Sequence, residues 1–264
     1  MKRVYLQFLR RINGRQAKEL MAFFLWGLLL FKYWATGELY LLIHPSYFPL
    51  VFASSIILFL VFITKVYLLL FQPNFASGVL EENKYNSSLL PRGWASNLLI
   101  FVAIIGLTVP PMVLNSETVM KRGVNDLPPT TLQPQSFSPQ TEPEKRSLIE
   151  WIRTLSVYPE PDNYVGQRAD ISGFVVYGEN LPENYIYLSR FVLTCCAADA
   201  YPVGMLVELP QPRYKYPPDS WLQVRGVMKV ANLPTLSEKT ARRQLALQAE
   251  EVIRIAAPKN PYQY

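Results

Sequence analysis

The hydrophobic positions in the first half of this chain form three long apolar runs. They cover residues 20–43, 50–71 and 97–114. A helix needs roughly 20 apolar residues to cross a hydrocarbon core of about 30 Å, and a buried helix of a soluble core is usually shorter. A cleaved signal peptide would have a shorter apolar run followed by small residues at a cleavage site. The pattern therefore predicts three transmembrane helices.

Basic residues are unevenly distributed around these runs. Residues 1–19 contain six Lys or Arg opposed only by Glu19, residues 36–49 contain none, and residues 72–96 contain Lys84 and Arg92. Short basic loops remain in the cytoplasm, so the N-terminus is predicted to be cytoplasmic and to lie against anionic lipid. Three crossings then place the second half of the chain outside the cytoplasm, in a protein integral to the plasma membrane.

Two lysines interrupt the apolar runs, Lys32 in the first and Lys65 in the second. Both lie away from the centre of their run, where a long side chain reaches the membrane interface with its charged end. The sequence therefore predicts interfacial lysines. The alternative is a role in an ion pathway.

After the third run the hydrophobic pattern changes twice. Residues 115–143 are rich in Pro, Gln, Ser and Thr and have no hydrophobic period, which predicts a semi-extended linker. Residues 142–157 carry apolar side chains at helical spacing, which predicts a helix. From there alternation with period two predicts five strands. They are residues 168–177, 185–195, 202–209, 221–230 and 251–257.

These strands predict the fold of a soluble domain over residues 144–264. Five short strands with Gly173 and Gly226 inside them are typical of a small, strongly curved barrel. We therefore expect an N-terminal helical membrane region followed by an extracytoplasmic, mainly β domain. This domain is an OB-like barrel with one preceding helix. A small β-sandwich is the alternative.

Charge separates the two halves of the chain. Residues 1–112 hold 10 Lys or Arg against 4 Asp or Glu, whereas residues 113–264 hold 16 of each, so the net charge of +6 belongs to the first part. Proteins that bind single-stranded nucleic acid need a basic groove with stacking aromatic side chains. The neutral barrel domain argues against nucleic acid as a partner.

Both cysteines are adjacent, in the run RFVLTCCAADAYPVG at residues 190–204. In one interpretation Cys195, Cys196 and Asp199 bind zinc or copper, with a fourth ligand from water, a partner or a second copy. In a second, the cysteines form a vicinal disulfide. In a third they are structural. Adjacent side chains on a strand point to opposite faces, so two thiols on one ion require the strand to end or bulge there.

Residues for ordinary catalysis are scarce. The chain has one histidine, His44, just after the first run, and it contains no Ser-His-Asp set, phosphate-binding loop or G-x-G-x-x-G motif. An interfacial His44 is the expected interpretation, with a role as metal ligand as the alternative. The sequence therefore predicts a protein that is not an enzyme.

Three features of the chain together resemble the bacterial YcgQ-like family of permease subunits. They are the apolar runs, the sequence PPMVLNSETVMKRGVN after the last run, and a barrel region with RFVLTCCAADAYPVG and WLQVRGVM. The resemblance implies a small membrane protein paired with a polytopic permease and a role in transport, with metal as one candidate cargo. The resemblance also implies that Cys195, Cys196 and Asp199, which stand in the shared motif, are the site residues.

The expected function is that of an accessory subunit whose extracytoplasmic barrel binds or gates a small substrate. A metal ion at the cysteine pair is one such substrate. The alternative is a membrane-anchored extracytoplasmic module for thiol redox chemistry or ligand binding.

Overall fold

The computed structural model describes residues 14–71, 94–123, 142–178, 180–234 and 241–264. They belong to two compact units, Met1–Met112 and Val113–Tyr264. Each unit is described by itself. The basic residues 1–13, the loop 72–93 and residues 124–141 of the predicted linker lie outside the described residues.

The first unit is helical and its first helix is central. Helix α1 spans Gly14–Thr36, α2 spans Phe48–Phe71 and α3 spans Trp94–Thr108. Helix α1 packs against both others. Ser55 of α2 donates a hydrogen bond of 2.9 Å to the carbonyl of Gly27 in α1. Tyr33 of α1 donates one of 2.9 Å to the carbonyl of Gly106 in α3. Glycine at both contacts lets the helices approach closely.

The prediction of three membrane spans is wrong in number. Among the described residues one helix, Pro45–Phe71, is long and apolar enough to cross a membrane. It has 27 residues with a mean hydropathy of 2.3, and 6% of its most apolar window is buried.

The helices of the other two apolar runs are not both long enough and apolar enough to cross a membrane, for local reasons. Helix α1 ends at Thr36 rather than at residue 43, because Gly37 turns the chain at a φ of 77°. It also carries charged residues near both of its ends. Helix α3 has 15 residues, which is about 22 Å of helix, and ends before Pro110 and Pro111, which cannot continue it.

The two lysines of the apolar runs are both paired. The ammonium group of Lys32 lies 3.2 Å from the carboxylate of Glu38. That of Lys65 lies 3.4 Å from the carboxylate of Glu19. The expectation of lone interfacial lysines is corrected in this respect, because each charge has a partner within the helical unit.

The second unit is built around five strands that close into a barrel. The strands are β1 Arg168–Val176, β2 Tyr185–Val192, β3 Tyr201–Glu208, β4 Trp221–Pro234 and β5 Ala241–Ile255. Their order is β1-β2-β3-β5-β4, with β4 pairing back onto β1. Neighbouring strands are antiparallel except β3 and β5, which are parallel. The described strands thus form one mixed sheet that closes on itself, as expected of a barrel, while the OB-like assignment stays a prediction.

Neighbouring strands of the barrel approach closely at two glycines. A Cβ atom on Gly226 would lie 1.9 Å from the carbonyl oxygen of Gln248, and one on Gly173 would lie 2.6 Å from that of Ser189. The register of β4 and β5 also shifts between Arg225 and Gly226. Both glycines thus lie where a Cβ atom does not fit, and their role in curvature stays a prediction.

Helix α5, Leu148–Val157, packs against the barrel and completes its core. It is shorter than the predicted helix 142–157, because Ser147 and Glu150 form a capping box that starts it anew after a short 3-10 turn. Trp151 is fully buried. The core beneath it is formed by inward side chains from all five strands, among them Ile171, Leu188, Met205, Leu222 and Leu247.

Helix α4, Ser116–Arg122, is part of the barrel unit. Asp219 accepts hydrogen bonds from the Ser116 backbone N–H at 2.6 Å and hydroxyl at 2.9 Å. Val119 of α4 is fully buried. The prediction that the linker begins at residue 115 is therefore wrong, because this segment has a helical cap and a packed apolar side chain.

Candidate metal centre

The cysteine pair lies in the loop that joins β2 to β3. Strand β2 ends at Val192 and β3 begins at Tyr201, so Cys195 and Cys196 are free of the alternation that would point them to opposite faces. The strand therefore ends before the two cysteines, as binding of both thiols to one ion requires.

Hydrogen bonds hold both ends of this loop. At its start the N–H of Leu193 donates to the carbonyl of Gln263 at 2.9 Å. At its end Arg122 of α4 donates to the carbonyl of Ala200. Inside the loop the N–H of Asp199 donates to the carbonyl of Cys196 at 3.1 Å. The loop is therefore tied to the rest of the barrel unit on both sides.

The three predicted ligands come together in this loop. One carboxylate oxygen of Asp199 accepts from the N–H of Cys195 at 2.8 Å, and the other accepts from the N–H of Cys196 at 3.1 Å. The two Sγ atoms are 3.7 Å apart. One ligand atom from each of the three residues lies within 4.8 Å of the others. Their grouping is as expected, while metal binding stays a prediction.

Both cysteines are free thiols, and Cys195 is exposed. A disulfide needs its sulfurs about 2.05 Å apart, so the vicinal disulfide is not the state of this structure. Cys195 is exposed, Cys196 is half-buried, and neither belongs to the buried core of the barrel, which argues against a purely structural role in that core.

Electrostatics keep the Cys195 thiol protonated. Its hydrogen bond to Asp199 and, second, the one to the neighbouring Cys196 together raise the pKa of Cys195 to about 12. Partial burial acts to raise the pKa of Asp199, but hydrogen bonds from the Cys195 side chain and from the loop backbone outweigh it and lower that pKa. A protonated thiol is a poor nucleophile, whereas a bound cation deprotonates a coordinating thiol outright.

The two parts of the chain match two domains of one family. Residues 19–125 match the DUF1980 N-terminal domain, and residues 141–264 match the DUF1980 C-terminal domain. The chain belongs to the DUF1980 family. It is also 29% identical over 73 residues to the UPF0703 protein YcgQ of Bacillus subtilis (strain 168). This match covers 28% of the chain but only 25% of that relative. The resemblance to the YcgQ-like family is thus confirmed at the family level.

His44 has a local structural role in this DUF1980 chain. It is the N-cap of the 3-10 turn Pro45–Tyr47, and its Nδ1 accepts from the N–H of Ser46 at 3.2 Å. Among the described residues, the cluster of three metal-ligating side chains contains the cysteines and Asp199 without His44. A role of His44 as a metal ligand stays an untested alternative.

Two residues that position the centre escaped prediction from the sequence. Arg122 and Gln263 hold the ends of the cysteine loop but lie far from it in the chain. Arg122 was placed in a linker, and Gln263 follows the last predicted strand. No local sequence pattern marks either residue, because a hydrogen bond to a residue far away in the chain does not produce a periodic pattern of hydrophobic and polar residues.

Proposed function

We propose that this chain is a non-enzymatic accessory subunit of a membrane permease, with a thiophilic metal ion bound at Cys195, Cys196 and Asp199. The observation that carries the proposal is the grouping of two thiols and a carboxylate in one exposed, well-tied loop. Thiolate and carboxylate are ligands of zinc, and thiolate is also a ligand of copper(I). The barrel would bind this ion as cargo and present it to the permease.

Membrane anchoring is supported by the exposure of helix α2. Its large apolar side chains, such as Leu50, Leu60 and Phe71, are more than half exposed in the described structure. Soluble proteins rarely leave so large a continuous apolar surface uncovered. Lipid supplies the medium that such a helix requires, so we propose that α2 crosses the plasma membrane.

The location of the barrel follows from the same helix. The basic residues that precede α2 favour a cytoplasmic N-terminus. One crossing and three crossings both bring the chain to the opposite side, so the smaller number of candidate spans does not alter the proposed location. The barrel would be extracytoplasmic, where a surface-exposed site can meet metal ions arriving from outside.

A partner permease is proposed because the described helices carry few groups for transport. Helix α3 has no charged residue, and the single charge of α2, Lys65, is paired with Glu19. Polar residues that line a pathway are a common feature of transporters. We therefore assign the translocation pathway to a polytopic partner.

The barrel supports a binding role through its topology. The strand order and the parallel pairing of β3 with β5 support an OB-like assignment. OB-like barrels use the face of strands 2 and 3 for ligands, and the cysteine loop joins those two strands. The neutral charge of this unit keeps nucleic acid out of the proposal.

Elemental analysis of the full-length protein tests the metal site. The protein would be purified reduced and without chelator, beside Cys195→Ser/Cys196→Ser and the matched control Thr194→Ala, which alters an exposed neighbour without a metal-ligating side chain. We expect roughly stoichiometric zinc or copper in the parent and the control, and none in the double variant. Equal metal content in all three, or none in any, would contradict the metal site.

Crosslinking in native membranes tests the partnership. We expect a crosslink from the helical unit to a polytopic membrane protein, and its loss when residues 14–112 are replaced by an unrelated anchor. A chain that forms no crosslink and purifies as a single monomeric species would contradict the subunit role. Reversible cycling of the thiols through a disulfide, without bound metal, would instead support the thiol-redox module.

A further inference from the structure

We infer that the cysteine loop selects a divalent ion with tetrahedral coordination, of which zinc is the type, over copper(I). This inference rests on the proposed metal site and specifies its cargo. Three observations carry it: the spacing of the two sulfurs, the nature of the third donor and the open fourth position.

The sulfur spacing fits a tetrahedral ion. A Zn–S bond is about 2.3 Å, so two thiolates on one tetrahedral ion are about 3.8 Å apart. At the same bond length, a trigonal ion would hold them about 4.0 Å apart and a linear ion about 4.6 Å apart. The observed distance between Cys195 Sγ and Cys196 Sγ is 3.7 Å, which is closest to the tetrahedral value.

The loop backbone that carries the two thiols is held in place without an ion. Both carboxylate oxygens of Asp199 accept from the backbone N–H groups of the two cysteines. The loop is further tied through Leu193 and Ala200 to residues outside it. A ligand pair on a backbone that is ordered in advance loses less freedom on binding, which favours an ion that fits the observed spacing.

The third donor points to the same class of ion. Copper(I) is soft and prefers thiolate and thioether sulfur, whereas zinc accepts thiolate, imidazole and carboxylate. A carboxylate oxygen of Asp199 lies within 4.8 Å of both sulfur atoms, so all three atoms can bind one ion. A mixed set of two thiolates and one carboxylate therefore favours zinc.

The fourth position is open. The cluster holds three metal-ligating side chains within the described part of the chain, and the Cys195 side chain is exposed. Structural zinc sites are closed by four protein ligands, while sites that exchange a ligand keep one position for water or another donor. The site is thus suited to an ion that is received and passed on.

Competition titrations of the full-length protein in detergent test the selectivity. The reduced protein, kept with a non-thiol reductant, would be titrated with Zn²⁺, with Co²⁺ as a spectroscopic probe and with Cu⁺, each against a chromophoric chelator. We expect intense visible bands of tetrahedral cobalt, a thiolate-to-cobalt charge-transfer band, and displacement of cobalt by zinc.

Variants at the carboxylate sharpen this test. Asp199→Asn should weaken zinc binding by about 10- to 100-fold and leave copper(I) binding nearly unchanged, while Asp199→Glu should restore part of the zinc affinity. Asp162→Asn, at an exposed carboxylate paired with Arg243, is the matched control. If Asp199→Asn fails to fold, the cobalt spectrum of the parent protein tests the tetrahedral coordination instead.

The outcomes separate this inference from the proposed metal site. Retention of copper(I) alone, or a six-coordinate cobalt spectrum without the thiolate band, would overturn the selectivity and leave the metal site standing. Absence of any bound ion in the parent would overturn both.

Discussion

The two units of this chain treat apolar side chains in opposite ways. In helix α2, Leu60 is 57% exposed and Ile63 is 59% exposed, whereas Leu188 and Leu222 of the barrel are fully buried. The ion pairs follow the reverse order: Arg225 of the barrel pairs with Asp170 on the exposed surface, whereas Lys32 and Lys65 of the helical unit pair in half-buried settings. One chain thus contains a unit that leaves large apolar side chains exposed and a unit that buries them, and the same residue type has a different energetic role in each.

The largest expected effect comes from removing a leucine in each unit. Leu222→Ala leaves a cavity in a close-packed core and should lower the free energy of unfolding by about 2–5 kcal/mol. Leu60→Ala removes a side chain that faces its surroundings and should cost less than about 1 kcal/mol. Chemical unfolding in detergent, followed by circular dichroism, measures both. Equal losses would mean that α2 is buried and would break the comparison.

A pair of glycines gives the next largest effect. Gly226→Ala places a Cβ against the Gln248 carbonyl and should destabilise the barrel by about 1–3 kcal/mol, as overpacking does. Gly14→Ala meets no atom within 4 Å, and alanine at the start of helix α1 should be neutral or mildly stabilising. Thermal unfolding of the two variants measures the difference. A well-folded Gly226→Ala would show that the barrel tolerates a wider spacing of β4 and β5.

Removing a charged side chain should lower the free energy of unfolding by different amounts in the two units, and this difference should be smaller than the two above. Lys65→Met removes the ion pair with Glu19 in a half-buried setting, whereas Arg225→Met removes a cation from an exposed network with Asp170 and Glu251. Exposed pairs contribute about 0–1 kcal/mol, so Lys65→Met should be the more destabilising variant.

A double-variant cycle with Glu19→Gln checks the cause of that loss. The double variant Glu19→Gln/Lys65→Met should recover part of the lost stability, because it also removes the half-buried negative charge that Lys65 neutralises. No recovery would show that Lys65 stabilises the unit by packing, for example over the ring of Phe23.

The smallest expected effect on stability is at the cysteine loop, where the readout is reactivity. A thiol with a pKa of about 12 is about one-thousandth ionised at pH 9, where an ordinary thiol is mostly ionised. Cys195 should therefore react slowly with iodoacetamide until the pH approaches its raised pKa. We expect Cys196→Ser/Asp199→Asn to react faster at pH 9 than Cys196→Ser. Equal rates would show that the carboxylate does not control the thiol.

The sequence predicts the elements of the barrel better than those of the helical unit. Alternation with period two located all five strands, and the start of β1 shows it directly, since buried Ala169 and Ile171 alternate with more exposed neighbours. Strand β3 is buried on both faces, so there the apolar run itself predicted the strand. The pattern missed the first ten residues of β5, 241–250, because they mix exposed and buried positions. Apolar runs located the helices but not their ends, which depend on Gly37 and on Pro110.

The candidate site was predictable in its ligands but not in its support. Two adjacent cysteines followed by an aspartate are conspicuous in the sequence. Both thiols can reach one ion only if the strand ends or bulges at that point, and this could be stated from the sequence. Arg122 and Gln263, which hold the loop, depend on the closure of the whole barrel. Such long-range contacts leave no trace in local periodicity.

The role of Gln263 has a consequence for the order in which the molecule is made. Its backbone bonds to both Phe191 and Leu193, at the start of the cysteine loop, yet the ribosome adds Gln263 long after both cysteines. Contacts between residues so far apart in the chain form late in folding. During synthesis the cysteine pair therefore exists for a time without the backbone that later holds it, and its thiols are most open to wrong partners in that interval.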